Sequence, residues 1–358
     1  MESLVRGVSN LNGEDVEIQG VNNEDLEKIL SSLKTKICVI GCGGAGTNTI
    51  ARLIDSGIRG TELYALNTDA QHLLYAKAQR KLLIGRRTTK GLGAGAMPTV
   101  GEAAALEAEE EIKAMLKGSD LVFVTCGLGG GTGTGSIPVV ARTAKELGAL
   151  TLAVVTLPFS VEGPIRMENA VNGLEKLKRE ADTIIVIPND KLLQVAPRLS
   201  VNEAFRVADE VLVRAIKGIS EMITVPGLIN LDFADLKTIM KDGGVAMIGL
   251  GEADSNDTKK AIADALNSPL LDVDITDATG ALVNVVGGDT LTLQEAEEGV
   301  AEIHAKAPNA RIIWGVATVP EMKSSVRIML VITGVKSSQI FGKERKSARN
   351  KMDLDIVG

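Results

Sequence analysis

Three glycine-rich stretches of this chain have the composition of phosphate-binding loops. The first loop is "GCGGAG" (41–46), the second is "GLGAGA" (91–96) and the third is "GGGTGTGS" (129–136), and each follows an apolar run typical of a strand. Glycine has no Cβ, so backbone amides can approach an anion, and a helix that starts after the strand turns further N–H groups toward it. Three such loops at neighbouring strand ends predict a cradle for a polyphosphate.

Two other interpretations remain open at this point. A tight strand-to-helix turn without a ligand also explains any one of the loops. The first loop fits the G-x-G-x-x-G pattern of nicotinamide-dependent oxidoreductases, in which an acid follows the next strand, and Asp69 comes slightly late for that role. A dinucleotide unit does not need two further glycine loops, and no G-x-x-x-x-G-K-[ST] sequence supplies a Walker-type lysine.

A candidate base-binding pair follows on a predicted helix, where Phe205 and Asp209 are one turn apart. The apolar stripe of this helix consists of Ala204, Val207, Ala208, Val211 and Ala215. The pair therefore lies on the shoulder of the core face, where a ring can stack on a base and a carboxylate can accept from N1–H and N2–H₂ of guanine. Adenine has no donor at N1, so the pair favours guanine. The alternative is an edge-of-core Phe beside a solvated Asp.

Two carboxylates, Asp232 and Asp235, occur in "GLINLDFADLK" (227–237). They are explained most simply as an N-cap and a first-turn acid that the helix dipole favours. Carboxylates cannot bind a triphosphate directly, but they could hold a water or a metal ion beside one.

The composition excludes several function classes. The 358 residues carry a net charge of −7, so no general nucleic-acid binding is expected. Three cysteines without a neighbouring His predict no zinc site and a reducing compartment. No secretion signal and no run of about 18 apolar residues is present, so we expect a cytoplasmic protein that does not insert into a membrane.

The elements that must position these residues alternate between apolar strands and amphipathic helices. This pattern predicts an α/β fold whose parallel sheet carries helices on both faces and binds ligands at the carboxyl ends of its strands. One long helix with a Thr99–Glu102 capping box is predicted before Gly118, and Pro138 is expected in the first turn of the helix after the third loop. A second capping box, Ser200–Glu203, opens a helix long enough to link two domains.

The chain is divided by these signals into five segments. They are an N-terminal extension (1–35), a nucleotide-binding domain (36–199), a central helix (200–224), a smaller α/β domain (225–335) and a basic, disordered tail (336–358).

Taken as a set, the motifs of this chain resemble the FtsZ and tubulin family, and FtsZ in particular, over residues 36 to 335. The stretches that carry the resemblance, in the family's order and spacing, are "GCGGAGTN", "NTDAQ", "GLGAGA", "GGGTGTGS", "EGPIRM", "IPND", "AFRVADEVL" and "GLINLDFAD". Ala45 in the first loop and "TLPF" (156–159) are similar to archaeal members. Met97 departs from the family's usual Asn, which puts a side-chain contact there in doubt.

The resemblance implies which residues bind GTP or GDP. The implied set is Gly43, Gly44, Ala45, Asn48, Ala65, Asn67, Asp69, Gly93, Ala94, Gly95, Gly130, Gly131, Thr132, Gly133, Thr134, Gly135, Pro158, Glu162, Arg166, Asn189, Phe205 and Asp209. Within it the γ-phosphate is expected beside Gly93 and Ala94, the ribose beside Glu162, the nucleotide close to Arg166 and the guanine beside Asn189.

The function implied by the resemblance is a GTPase that polymerises head to tail into the cytokinetic ring. Asn230, Asp232 and Asp235 would reach into the next subunit's site, where Mg²⁺ accompanies the phosphates. The segment 225–335 would then be a GTPase-activating domain, and the tail would bind a membrane-tethering division adaptor at mid-cell. A family member that binds GTP and assembles but hydrolyses it poorly is the alternative.

Overall fold

The computed structural model describes residues 34–195, 200–225, 227–229, 231–254, 257–271 and 273–335. Its strands form one ten-stranded sheet in the order β3-β2-β1-β4-β5-β6-β7-β10-β8-β9. The first six strands are parallel, and β10 is antiparallel to both of its neighbours. The predicted α/β fold is confirmed.

The parallel half of the sheet is built from strands joined by crossover helices. Its strands are β1 Ile37–Cys42, β2 Thr61–Asn67, β3 Arg80–Leu83, β4 Leu121–Gly127, β5 Leu150–Leu157 and β6 Thr183–Pro188. Its helices are α1 Gly43–Asp55, α2 Ala70–Tyr75, α3 Pro98–Glu107, α4 Glu109–Leu116, α5 Thr132–Glu146, α6 Pro164–Glu180 and α7 Asn189–Val195. A 3-10 turn, Ser160–Glu162, precedes α6.

The second half of the sheet follows the central helix α8, Val201–Thr224. Its strands are β7 Gly244–Ala253, β8 Gly280–Gly287, β9 Arg311–Thr318 and β10 Val326–Thr333. Its helices are α9 Phe233–Met240, α10 Thr258–Leu266 and α11 Leu293–Lys306, and a 3-10 turn covers Pro320–Met322. Because β7 pairs with β6, the strands of both predicted domains belong to one sheet, which the sequence did not indicate.

The core lies on both faces of the sheet. Helices α1, α8 and α9 cover one face of the sheet, with buried side chains that include Leu53, Ile216 and Leu236. Helices α4, α5 and α6 cover the other face, with buried side chains that include Ile112 and Ile137. The 24 residues of α8 span about 36 Å and contact strands of both halves. This helix therefore fixes the two halves to each other.

The capping predictions had mixed outcomes. The Ser200–Glu203 box is present, with Glu203 N–H donating to Ser200 Oγ and Ser200 N–H to the Glu203 carboxylate. The Thr99–Glu102 box was wrong, because Pro98 starts α3 one residue earlier and Glu102 pairs with Lys176 at 2.6 Å.

The predicted long helix is interrupted at Ala108, whose φ of −107° and ψ of 20° are not helical. Three consecutive acids, 109–111, follow it in the first turn of α4, where the helix dipole favours negative charge. The helix after the third loop starts early, at Thr132, so Pro138 lies inside α5 and not in its first turn as predicted.

Several predictions fall on residues outside the described ranges. They are the N-terminal extension up to residue 33, the tail from residue 336 and Asn230. The domain boundaries stay predictions.

Candidate functional site

The three glycine-rich loops meet at one place. A Cβ built on Gly43, whose φ is +70°, would lie 2.7 Å from Gly133 N, so the first and third loops are in backbone contact. A Cβ on Gly131 would lie 2.7 Å from Met97 N and 3.0 Å from Ala94 Cβ. The second loop therefore packs directly on the third, and no side chain larger than hydrogen fits between them.

Other glycines of these loops border open space. A Cβ built on Gly44 or Gly93 would meet nothing within 4 Å. Helix α5 starts at Thr132 of the third loop, and its N-cap Gly131 provides no side-chain cap. The first-turn amides of this helix thus remain suited to an anion.

The threonines of the third loop brace the loop itself. Thr132 Oγ1 is 2.6 Å from Thr68 Oγ1, and Thr134 Oγ1 accepts a hydrogen bond from Gly129 N–H at 2.8 Å. The hydroxyl groups therefore fix the backbone that could bind phosphate. Thr68 was not predicted, since only the fold brings the end of β2 to this loop.

Asn169 of α6 joins the second and third loops and was also missed. Its Nδ2 donates to Ala96 O at 3.3 Å and to Gly129 O at 3.4 Å. No signal in the sequence identifies it, because both partners are backbone carbonyls far along the chain.

The predicted ribose-side residues lie beside the third loop. Glu162 accepts a hydrogen bond from Phe159 N–H at 2.8 Å and forms an ion pair with Arg166. A Cβ on Gly130 would lie 3.9 Å from an Arg166 Nη2 atom. The guanidinium is about half exposed, so it can neutralise negative charge at the rim of the loops.

The predicted base-binding pair lies on the shoulder of α8, as expected from the helical spacing. Phe205 is 41% exposed, and its ring meets that of Phe159 edge to face at 5.2 Å between centroids. Asp209 Oδ2 accepts a hydrogen bond from Arg52 Nε at 2.9 Å. Burial raises the pKa of the Asp209 carboxyl, whereas the Arg52 charge and hydrogen bond lower it.

Asn189 and Thr47 carry buried oxygens that have no hydrogen-bond partner among the described residues. Asn189 is 4% exposed and begins α7, and its Oδ1 is unpartnered. Thr47 Oγ1, directly after the first turn of α1, is unpartnered as well. Desolvated acceptors of this kind are costly, which fits a polar ligand at the site.

The residues predicted after β2 mainly support the local backbone. Ala65 is fully buried inside the strand, so it underlies the site. Asn67 Oδ1 accepts from Thr68 N–H at 2.9 Å, and Asp69 caps α2 by accepting from His72 N–H at 2.9 Å. Asp69 also forms an antiparallel bridge with Leu92, so it anchors the second loop.

Four further predicted residues lie around the loops. Ala45 is exposed in the first turn of α1, and Gly95 is exposed in the second loop. Gly135 is buried in α5, and Pro158 is buried directly after β5.

Asn48 lies on a groove between α1 and α2 whose volume is about 560 Å³. Asp69 lies on the same groove, which continues away from the loops to Tyr75 and Lys77.

Asp232 and Asp235 lie on a different element from the loops, at the start of α9. Asp232 is the N-cap residue of α9, as the capping interpretation predicts. Its side chain, however, makes no hydrogen bond to the backbone N–H groups of the helix. Asp235 Oδ1 is 3.8 Å from Arg311 Nη2, and both side chains are about half exposed. These carboxylates are accessible to another molecule.

The described residues lack two kinds of feature. They contain no group of three or more His, Cys, Asp or Glu side chains able to hold a metal ion. Within the same ranges, no helix has the length and apolarity needed to cross a membrane.

Known families match both halves of the sheet. Residues 36–197 match the Tubulin/FtsZ family, GTPase domain, and residues 244–336 match the FtsZ family, C-terminal domain. FtsZ 1 of Archaeoglobus fulgidus is 57% identical over 346 residues, which cover 95% of this chain and 94% of that protein. The chain belongs to the FtsZ family.

Solved structures agree with this assignment. An empty FtsZ dimer from M. jannaschii has a TM-score of 0.84 at 57% identity and covers 87% of this chain and 92% of that chain. CetZ2 of Haloferax volcanii, a GTPγS-bound protofilament with a TM-score of 0.74, covers 85% of this chain and 95% of its own, and at 22% identity it supports the fold alone. The predicted polymerising cell-division GTPase is confirmed at the level of the FtsZ family.

Proposed function

We propose that this GTPase assembles head to tail and that each active site is completed by the next subunit. The nucleotide would lie with its triphosphate on the three loops and its guanine against Phe205, Asp209 and Asn189. One observation supports the shared site above all: the loops and Asp235 lie at opposite edges of the sheet.

The loops lie at the carboxyl edge of the parallel strands. The first begins at Gly41, so it includes the last two residues of β1, and the third begins two residues after Gly127 at the end of β4. Because β1 and β4 are parallel neighbours in register, these loops lie side by side.

Asp235 lies near the amino edge. Its partner Arg311 is the first residue of β9 and is in register with Gly280, the first residue of β8. The end of β10 pairs with the beginnings of β8 and β7, and the beginning of β7 pairs with the beginning of β6, so all of these strand ends lie at one edge of the sheet. There Thr183 Oγ1 donates to Met240 O at the end of α9. A six-residue strand is about 20 Å long, so about that length of sheet separates the acids from the loops of the same subunit.

A head-to-tail contact brings these two edges together. Such a heterologous contact does not close by symmetry, and it therefore generates filaments. Amides of the loops would stabilise the charge that develops on the phosphates, while Asp232 and Asp235 of the neighbour polarise the attacking water.

Mg²⁺ would accompany the phosphates and be held by their oxygens and by water, the ligands that it usually keeps beside bound phosphates. When bound, it would neutralise phosphate charge. We also propose that the tail 336–358 binds a membrane-tethering adaptor and that the filaments act at the division site.

Mixing two inactive variants tests the shared site. Asp235→Asn keeps an intact nucleotide site, whereas Gly133→Trp blocks it, because a Cβ on Gly133 already lies 3.0 Å from Cys42 O. Each variant alone should lose about 10²-fold or more in turnover. Hydrolysis should return in the mixture, since the α9 of the second variant meets the loops of the first.

Asp264→Asn, an exposed acid on α10, is the matched control and should retain turnover. GTP affinity of Asp235→Asn should stay normal, and wild-type turnover per subunit should rise steeply with concentration. Turnover that is independent of concentration, together with no recovery in mixtures shown to co-assemble, would contradict the shared site.

A further inference from the structure

We infer that Arg52 is a positioning residue for guanine recognition, which it serves by holding the Asp209 carboxylate in place and charged. This inference rests on the proposed guanine site. Arg52 lies on α1 and Asp209 on α8, and the Arg52 Nε to Asp209 Oδ2 distance is 2.9 Å. The ion pair thus joins the helix that starts in the first phosphate loop to the helix that carries the base-binding side chains.

The pair is shielded enough to have an electrostatic effect. The Asp209 side chain is 16% exposed and that of Arg52 is 37% exposed. Partly buried pairs are screened less by solvent than surface pairs are, and a hydrogen bond between charged groups is stronger than a neutral one.

The geometry leaves part of the carboxylate for the base. Arg52 contacts Oδ2 through Nε alone, so Oδ1 and the second lone pair of Oδ2 remain able to accept from N1–H and N2–H₂ of guanine. The aromatic ring of Phe205 lies one helical turn away. Fixing the carboxylate against α1 therefore fixes the distance between the guanine-binding groups and the phosphate loops.

The charge of Asp209 matters because only the ionised carboxylate accepts from both N1–H and N2–H₂. Burial raises the pKa of this group, and Arg52 opposes the rise. Among the described residues, Arg52 of α1 is the charged side chain that acts on Asp209, while Glu210 on the same helix binds Arg214 at 3.1 Å.

The charge of Asp209 determines how guanine affinity depends on pH. Guanine affinity is present above the pKa of Asp209 and is lost as the pH falls through it. Without Arg52 that pKa rises, so the loss should begin at a higher pH.

The test is a titration of the full chain with GTP and with ITP, which lacks the 2-amino group, from about pH 4 to about pH 8. Arg52→Met should weaken GTP binding about tenfold at neutral pH and reduce the GTP/ITP affinity ratio. It should also move the pH at which affinity is lost upward. Arg52→Lys should restore much of the affinity and the pH profile.

Lys217→Met is the matched control, because Lys217 also joins α8 to α1 by donating to Ser56 O at 2.7 Å, away from Asp209. It should keep the wild-type ratio and pH profile. If Arg52→Met is unstable in thermal unfolding, Arg52→Gln takes its place.

Two results would overturn the inference. One is an unchanged GTP/ITP ratio and pH profile in the Arg52 variants, and the other is tighter GTP binding, which would make Arg52 a competitor of the base. Wild-type protein that binds ITP as tightly as GTP would instead contradict the proposed guanine site itself.

Discussion

The phosphate side of the candidate site is formed by backbone groups, whereas the base side is formed by side chains. On the phosphate side, three loops are in backbone contact and leave no room for a Cβ at Gly131. On the base side, the groups are side chains on helices, namely Phe205, Asp209 and Asn189 at the start of α7. Backbone geometry can be altered only by moving the loops, whereas side chains can be exchanged one at a time.

This difference separates affinity from selectivity. Backbone amides can hold any phosphate, so the loops of the proposed site would contribute binding that is common to all nucleotides. Hydrogen bonds to a base edge distinguish one base from another, because a wrong base leaves buried groups unpaired. The two sides should therefore respond to substitution in different ways.

The largest effect is expected on the phosphate side. In Gly131→Ala the new Cβ would lie 2.7 Å from Met97 N, so the second and third loops must separate. Binding of GTP, GDP and ATP should be lost together in equilibrium titrations. Gly130→Ala is the comparison, because its Cβ meets nothing nearer than 3.9 Å, and it should have a smaller effect. Equal affinities in wild type and Gly131→Ala would show that the loops do not form the cradle.

An intermediate effect is expected at Asp209. Asp209→Ala should weaken GTP binding by about 2 to 4 kcal/mol, since charge-assisted bonds are lost and guanine donors are left unpaired. ATP binding should change little, because the loops are untouched. Competition titrations with both nucleotides measure the difference, and an equal loss for GTP and ATP would remove Asp209 from base selection.

The smallest effect is expected at Phe159, whose ring supports Phe205 edge to face. Phe159→Leu should reduce GTP affinity by about 0.5 to 1.5 kcal/mol, the value of an aromatic pair. Phe123→Leu, in the fully buried core, should lower the thermal unfolding midpoint without a selective effect on GTP. A change in stability alone in Phe159→Leu would assign that ring to the core.

The sequence predicted that the glycine-rich loops meet, but it did not predict the pairing of Arg52 with Asp209, for a physical reason. Glycine spacing after an apolar run is local, and parallel strands bring such loops together whatever the rest of the chain does. Arg52 gave no comparable signal, because its partner Asp209 is 157 residues away and only the packing of α1 on α8 joins them.

Helix ends were predicted less well than helices. The sequence of residues 99–118 predicts one helix. The structure has two, α3 and α4, and the second begins with the acidic residues after Ala108. The start of α5 was missed because glycines and threonines, which are poor helix formers, make its first turn, and tertiary contacts around Gly131 stabilise them there.

The continuous sheet also has a mechanical consequence. In the proposed filament, which joins the loops of one subunit to α9 of the next, tension would run along the strands. Ladder hydrogen bonds lie across the strands, so tension loads many of them at once in shear. Between the two halves of the sheet, however, β6 and β7 share only three register pairs, Thr183–Ile185 with Gly244–Ala246, against eight between β7 and β10. A stretched filament should therefore yield first at this short ladder, with α8 as the strut that remains across the break.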